Sequence, residues 1–183
     1  VSGAAQVMES SMPSWAERAQ AVKAQPADLA QALPLLMALW AGPALAPTLD
    51  DAAWGRLAQR LQFVRVRAGL TLIEQDEPGS FLLVLLAGSV RVEHRGRDHV
   101  IGLGEGRPGD VLGEMALLDA GPRSSACVTR TDCLLAVLET PALYALMRED
   151  APLAAAWMGA LARRLSLRLR QTDARLLALL SEG

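Results

Sequence analysis

Glu114 and Arg123 are the residues whose types and spacing are best suited to chemistry. They stand nine positions apart in the run Gly113-Glu114-Met115-Ala116-Leu117-Leu118, then Gly121-Pro122-Arg123-Ser124-Ser125-Ala126. A glycine beside an acid, a short apolar run, a Gly-Pro turn and one arginine among small residues is more than an amphipathic helix requires. Arginine suits a phosphate because its planar fork donates two parallel hydrogen bonds, and Ser124 and Ser125 add hydroxyl and amide donors. Glu114 to Leu118 is expected to form one helical turn, whose first amides lack intrahelical partners and so face an anion. Gly113 would let the backbone come close to a ligand. A carboxylate next to a phosphate repels it, unless Glu114 accepts from a sugar hydroxyl while Arg123 holds the phosphate. The pattern therefore asks for a ligand with a phosphate and a ribose hydroxyl close together. The same spacing permits a plain salt bridge between Glu114 and Arg123 across the turn, and spacing alone does not choose between the two.

These residues need a scaffold, and the surrounding pattern supplies strands. "FVRVRAG" alternates, "LTLIE" stops at the turn cluster "QDEPGS", and "FLLVLLAG" is a fully apolar run of strand length. "SVRVEH" alternates again, "RGRD" reads as a hairpin tip, and "HVIGLG" returns. Asp110 to Gly113 ends a strand, and "ACVTR" and "CLLAVL" resume the pattern, joined at Thr131-Asp132. Short strands with Gly-rich turns indicate an antiparallel barrel, roll or sandwich. Helices are expected on both sides. Ser14 with Glu17 makes a capping box; Asp28 starts a second helix that ends at Gly42; Thr48-Leu-Asp-Asp caps a third over Ala52 to Leu61. Thr140 reads as an N-cap with Pro141 at the first helical position.

A long helix is expected from Pro152 to Leu180. Within it Met158, Ala162, Leu165, Leu169, Thr172, Leu176 and Leu179 recur in alternating steps of four and three, a 3.5-residue seam suited to a parallel two-chain contact. The alternative is that this stripe packs on the chain's own β-structure. Arg163, Arg164, Arg170, Asp173 and Arg175 fall on the outer faces and read as solvated.

The totals exclude several classes. A net charge of -2 over 183 residues gives no general attraction to nucleic acid or anionic membrane. Cys127 and Cys133 read as free core thiols, and His94 and His99 flank the hairpin tip as exposed side chains, so no metal cluster is expected. Leu29 to Leu49 carries no charge and is long enough to span a bilayer, but Pro34, Gly42, Pro43 and Pro47 interrupt it; short packed helices are expected instead, and no membrane contact. No signal-peptide pattern opens the chain. It begins with Val, as a fragment or processed chain would.

Taken together, Gly113 to Leu118 and Pro122 to Ala126 resemble the phosphate-binding cassette of the cyclic nucleotide-binding domain family, which includes bacterial catabolite activators, kinase regulatory subunits and nucleotide-gated channels. The resemblance runs from Leu49 to Leu180, through "VRVRAGLTLIEQDEPGS", "LLVLLAGSVRV" and "GRPGDVLGEMALL". It implies a mainly β fold, an antiparallel β-roll of the jelly-roll type with N-terminal helices and a long C-terminal helix. It divides the chain into a loose tail (1–13), a helical extension (14–47), the nucleotide-binding roll (48–150) and a lid and dimerisation helix (151–183).

By the same resemblance Glu114 accepts from the ribose 2′-hydroxyl and Arg123 pairs with the cyclic phosphate. Backbone donors at Gly113, Met115 and Ala116, with Ser124 and Ser125, complete the anion nest. Arg168 and Leu169 face the base. Gly88 is a structural turn, and Asp76 replaces a usual glycine. Ser124 after the arginine favours cyclic AMP; Arg168 keeps cyclic GMP or a dinucleotide open, since arginine can donate twice to guanine. The implied function is a cytoplasmic sensor without catalysis or cofactor, a homodimer through its long helix. No DNA reading by this chain is expected, because the sequence stops at Ser181-Glu182-Gly183 where catabolite activators continue into a helix-turn-helix; the output module is expected to have been removed, to lie before Val1 or to be a separate protein. Two other readings stay open: a degenerate interaction module, and the regulatory tail of a transporter, channel or enzyme.

Overall fold

A computed structural model describes residues 13–40 and 49–181. Among these described residues nine strands form two antiparallel sheets. The first, in the order β1-β2-β9-β4-β7, joins Gln25–Pro26, Gln62–Val66, Cys133–Glu139, Phe81–Ala87 and Val111–Leu112. The second, in the order β3-β8-β5-β6, joins Thr71–Ile73, Ala126–Thr129, Val90–Arg95 and Val100–Gly106. Helices α1 (Trp15–Ala21), α2 (Leu29–Trp40), α3 (Asp51–Ala58), α4 (Glu114–Asp119), α5 (Thr140–Glu149) and α6 (Ala151–Ser181) complete the described chain.

The unbroken apolar run of β4 has a direct cause. Phe81, Leu83 and Leu85 point into the core of the roll with Leu72, Ile73, Val92, Leu135 and Val137. Leu82, Val84 and Leu86 point the other way, into a second core shared with Trp54, Leu57, Leu143, Leu146 and Trp157 of the helices. Successive side chains of a strand face opposite sides, so a strand covered on both faces has no place for a polar residue. Strand β9 repeats the arrangement and pairs with β4 from Phe81↔Glu139 to Ala87↔Leu134.

Several boundaries move. Ser14 caps α1 through the expected capping box with Glu17, and Asp28 accepts from the Ala30 amide at the start of α2. The third helix is Asp51–Ala58 rather than Ala52 to Leu61, because Asp50 is the residue that caps it, accepting from the Ala53 amide at 2.7 Å. The cap of α5 is Glu139; Thr140 is the first helical residue, and its hydroxyl donates to the Ser80 carbonyl instead. Residues 1–12 and 41–48, with most of the expected tail and the end of the apolar Leu29 to Leu49 stretch, lie outside the described residues. Among the described residues no helix is long and apolar enough to cross a membrane.

Alternation in β5 places Glu93 outside, yet it is buried. Arg91 and Arg95 cover it, donating at 2.6 and 3.1 Å. Burial pushes its carboxyl up, but the hydrogen bonds from Arg95 and Arg91 outweigh this and leave it below the usual range. Cys127 and Cys133 are free, buried thiols on different strands.

The long helix divides along its length. Leu153, Ala154, Trp157 and Leu161 are buried, and Trp157 stacks on Trp40 of α2 with centroids 4.2 Å apart. Met158 and Leu165 of the expected seam pack against this core, so for that half the stripe serves the chain's own fold. Leu169, Leu176 and Leu179 are exposed at 62%, 54% and 71%. Arg164 is not on a solvated face: it lies over the Trp40 ring at 4.5 Å and donates to the Gly109 and Leu39 carbonyls. That contact clamps the base of α6 to α2.

Candidate functional site

The site forms where β7 ends. Gly113 has φ 77°, a left-handed conformation, and turns the chain into α4. A Cβ there would collide with the Arg123 guanidinium. Arg123 arrives on the far side of the turn, fixed by its backbone: its amide donates to Glu77 O at 2.9 Å and its carbonyl accepts from the Asp76 amide at 2.9 Å. Asp76 has φ 64°, a left-handed turn position that Asp tolerates better than most residues. Gly88 has φ 91°, and a Cβ on it would meet Asp132 O at 2.5 Å.

Arg123 does not pair with Glu114. Its guanidinium donates to Gly113 O at 2.5 Å and Phe81 O at 2.7 Å, and its Cζ lies 4.7 Å from the centroid of the Phe81 ring. The residue is only 2% exposed. Burial pushes its pKa down, while Glu77 and Glu114 act in the opposite direction. Its Nε is buried with no hydrogen-bond partner among the described residues. A desolvated donor of a cation left without an acceptor is costly, and an anion at this point would remove the cost.

Glu114 is equally buried, at 2%. Its Oε1 accepts from Arg168 Nη1 of α6 at 3.2 Å, and the same nitrogen lies 3.4 Å from Val111 O. Desolvation raises the Glu114 pKa above the ordinary carboxylate value; its own backbone amide, Arg168 and Arg123 offset part of this.

The residues of the sequence reading converge, with one exception. Gly113, Glu114, Met115, Ala116, Arg123, Ser124, Ser125 and Arg168 line a single cavity of about 30 Å³. It adjoins a cleft of about 480 Å³ between β6 and α6, lined by Leu103, Gly104, Leu165, Gln171 and Arg175 among others. Val92, Leu112, Glu114, Ser124, Ser125 and Arg168 border both spaces, so the Glu114–Arg168 ion pair stands where they meet. Leu169 lines neither. It points away because the cleft-facing positions of α6 are 161, 164, 165, 168, 171, 172 and 175, a stripe of helical period that passes one residue before it.

Besides the apolar lining by Ile73, Val92 and Leu112, three further residues of the site escaped the sequence reading. Gly79 packs directly on Arg123, where a Cβ would stand 2.6 Å from the guanidinium carbon. Phe81 lies under that guanidinium, and Cys127 forms part of the cavity wall. The thiol of Cys127 is pushed up to about 12 by burial, so it is a packing group at neutral pH.

Comparison with known proteins bears on the fold and the family. Residues 63–150 match the cyclic nucleotide-binding domain family. A CRP-like cAMP-activated global transcriptional regulator of Mycobacterium tuberculosis is 28% identical over 120 residues, 64% of this chain and 53% of the relative. The crystal structure of the Thermus thermophilus catabolite activator protein superposes with a TM-score of 0.60 at 30% identity, covering 72% of this chain and 60% of that one. A cyclic nucleotide-binding domain from Methylobacillus flagellatus shares the fold, with a TM-score of 0.76 at 24% identity over 81% of this chain and 84% of that one. Residues 63–150 therefore form a domain of the cyclic nucleotide-binding family, of the regulatory kind. It spans about half the length of the curated relatives that it matches first.

Proposed function

We propose that the chain is a cyclic nucleotide sensor that favours cyclic AMP and signals through α6. The observation that carries this reading is the buried, unpartnered Nε of Arg123, a residue that lines one cavity with Gly113, Glu114, Met115 and Ala116 at the start of α4, where first-turn amides have no partner within the helix. The cyclic phosphate would take that Nε, amides at Gly113, Met115 and Ala116, and donors of Ser124 and Ser125. Glu114 would accept from the ribose 2′-hydroxyl. The base would lie in the cleft, whose volume of about 480 Å³ falls within the roughly 300–1,000 Å³ usual for ligand pockets.

This placement supplies a coupling. Arg168 holds Glu114 Oε1, which the ribose also requires, so the ligand competes with α6 for one carboxylate. A ligand can shift an equilibrium only by contacting its two states differently. Arg168 is the group whose contacts must change, and α6 would move with it. The exposed Leu169, Leu176 and Leu179 would meet a second copy of the chain. A second ligand reading rests on Arg168 itself: once freed from Glu114 it can donate to the O6 and N7 of guanine.

Titration calorimetry of the purified chain with cyclic AMP and cyclic GMP tests the reading. Saturable binding of cyclic AMP, with the nucleotide recovered unhydrolysed, is the expected result. Absence of heat with both nucleotides, together with an unchanged melting temperature, would sink it.

A further inference from the structure

We propose that Arg18, on α1, is a positioning residue for anion binding: it neutralises Glu77 and pins the turn that carries Arg123, leaving the Arg123 charge to the ligand. The inference rests on the sensor reading and assigns a role to the segment ahead of the roll.

Arg123 sits in a sling made by the turn before β4. Glu77 and Asp76 pair with its backbone, Pro78 bridges to Pro122, Gly79 presses on its guanidinium, and Phe81 supplies both a carbonyl and a ring. α1 holds this sling from behind. Trp15 is buried and meets the Phe81 ring edge-on at 5.2 Å. Ser80 donates to Pro13 O at 2.6 Å. Arg18 closes an ion pair with Glu77 whose side chains are only 13% and 14% exposed.

The charge pattern gives the pair a purpose beyond packing. Of the charged groups around Arg123, Glu77 acts on it most strongly. A free Glu77 carboxylate would satisfy part of the Arg123 charge and repel an incoming phosphate. Arg18 takes up one carboxylate oxygen, while the other accepts from the Glu74 amide at 3.1 Å. The anion then meets a cation whose neighbouring acid is already balanced. Coupling is reciprocal, so ligand occupancy would in turn stabilise the docking of α1.

The test uses the full chain and a fluorescent cyclic AMP, with affinity read by anisotropy and folding by circular dichroism. Arg18→Gln is expected to weaken binding about tenfold, the low end for an unbalanced charge beside a buried ionic contact. Adding Glu77→Gln to it should restore affinity to within about threefold, because the uncompensated charge is gone while an amide oxygen still serves Glu74. Glu77→Gln alone should bind about threefold tighter than the unaltered chain, because it leaves the Arg18 charge unopposed near the anion, and this arm does not depend on Arg18→Gln folding. Arg18→Gln binding like the unaltered chain, a double variant as weak as the single, or a weakened Glu77→Gln overturns the proposal and leaves the sensor reading standing. No binding by the unaltered chain overturns both.

Discussion

Replacing Glu114 by Gln separates what this carboxylate costs the fold from what it contributes to the ligand. In the folded chain its pKa is raised, chiefly by burial. Between the two values the folded protein therefore binds more protons than the unfolded chain, which titrates at about pH 4. Stability is then greatest below the unfolded value and falls as pH rises through the folded one, since ∂ΔG/∂pH is negative wherever the native state binds more protons. Gln carries no such penalty. Without nucleotide, the melting temperature of Glu114→Gln should exceed that of the unaltered chain by a margin that widens as pH rises from about 4 through the raised folded value. Binding should move the other way. Hydrogen bonds to charged groups contribute about 1.5–3 kcal/mol against about 1 for neutral ones, so Gln should cost roughly 0.5–2 kcal/mol. At 1.4 kcal/mol per tenfold that is about 2- to 30-fold in Kd. Scanning calorimetry across pH and nucleotide titration at neutral pH read the two effects. Parallel melting curves for both proteins at every pH, or unchanged affinity, refutes the reasoning.

Arg123→Ala should weaken cyclic AMP by roughly 2–5 kcal/mol, as expected for a broken desolvated charge contact. It should also lower the melting temperature, because the Gly113 and Phe81 carbonyls lose their donor; a change in affinity below tenfold contradicts its role. Arg168→Ala should tighten cyclic AMP by up to about fivefold, the worth of a half-exposed ion pair, while it weakens cyclic GMP. Equal changes for both nucleotides in calorimetry would remove Arg168 from base selection. Leu169→Asp with Leu176→Asp should convert a dimer to monomers by light scattering. These positions test the seam more cleanly than Leu165, which packs on the chain's own core; an unchanged mass rules the seam out.

Much of the fold was legible because it is written locally. Period-two alternation, the Ser14 capping box and the both-sides-apolar β4 each need only neighbouring residues. The cassette from Gly113 to Ala126 was legible for the same reason, since one continuous stretch carries both charges. What escaped reading depends on contacts across the chain. Gly79 looks like any turn glycine until the fold lays Arg123 against it. Arg164 has the spacing of a surface residue, yet it stacks on Trp40, 124 positions earlier. The resemblance implies a base contact for Leu169, and a single helical step along α6 sets it off the cleft. Glu93 followed alternation, but two flanking arginines made its burial tolerable.

The two charges of the cassette also show why neither could be assigned from spacing alone. Had they paired with each other, each would have satisfied the other and left no demand for a ligand. Instead each is buried and answered from elsewhere: Arg123 by two backbone carbonyls, and Glu114 by an arginine on a helix. The carbonyls are rigid and leave the Nε unanswered, so that demand persists until an anion arrives. The arginine is half-exposed and mounted on α6, whose far end leaves Leu176, Leu177, Leu179 and Leu180 exposed. Phosphate recognition can therefore stay fixed while ribose recognition is exchanged with α6. That asymmetry is what would let one small ligand both bind tightly and move a helix.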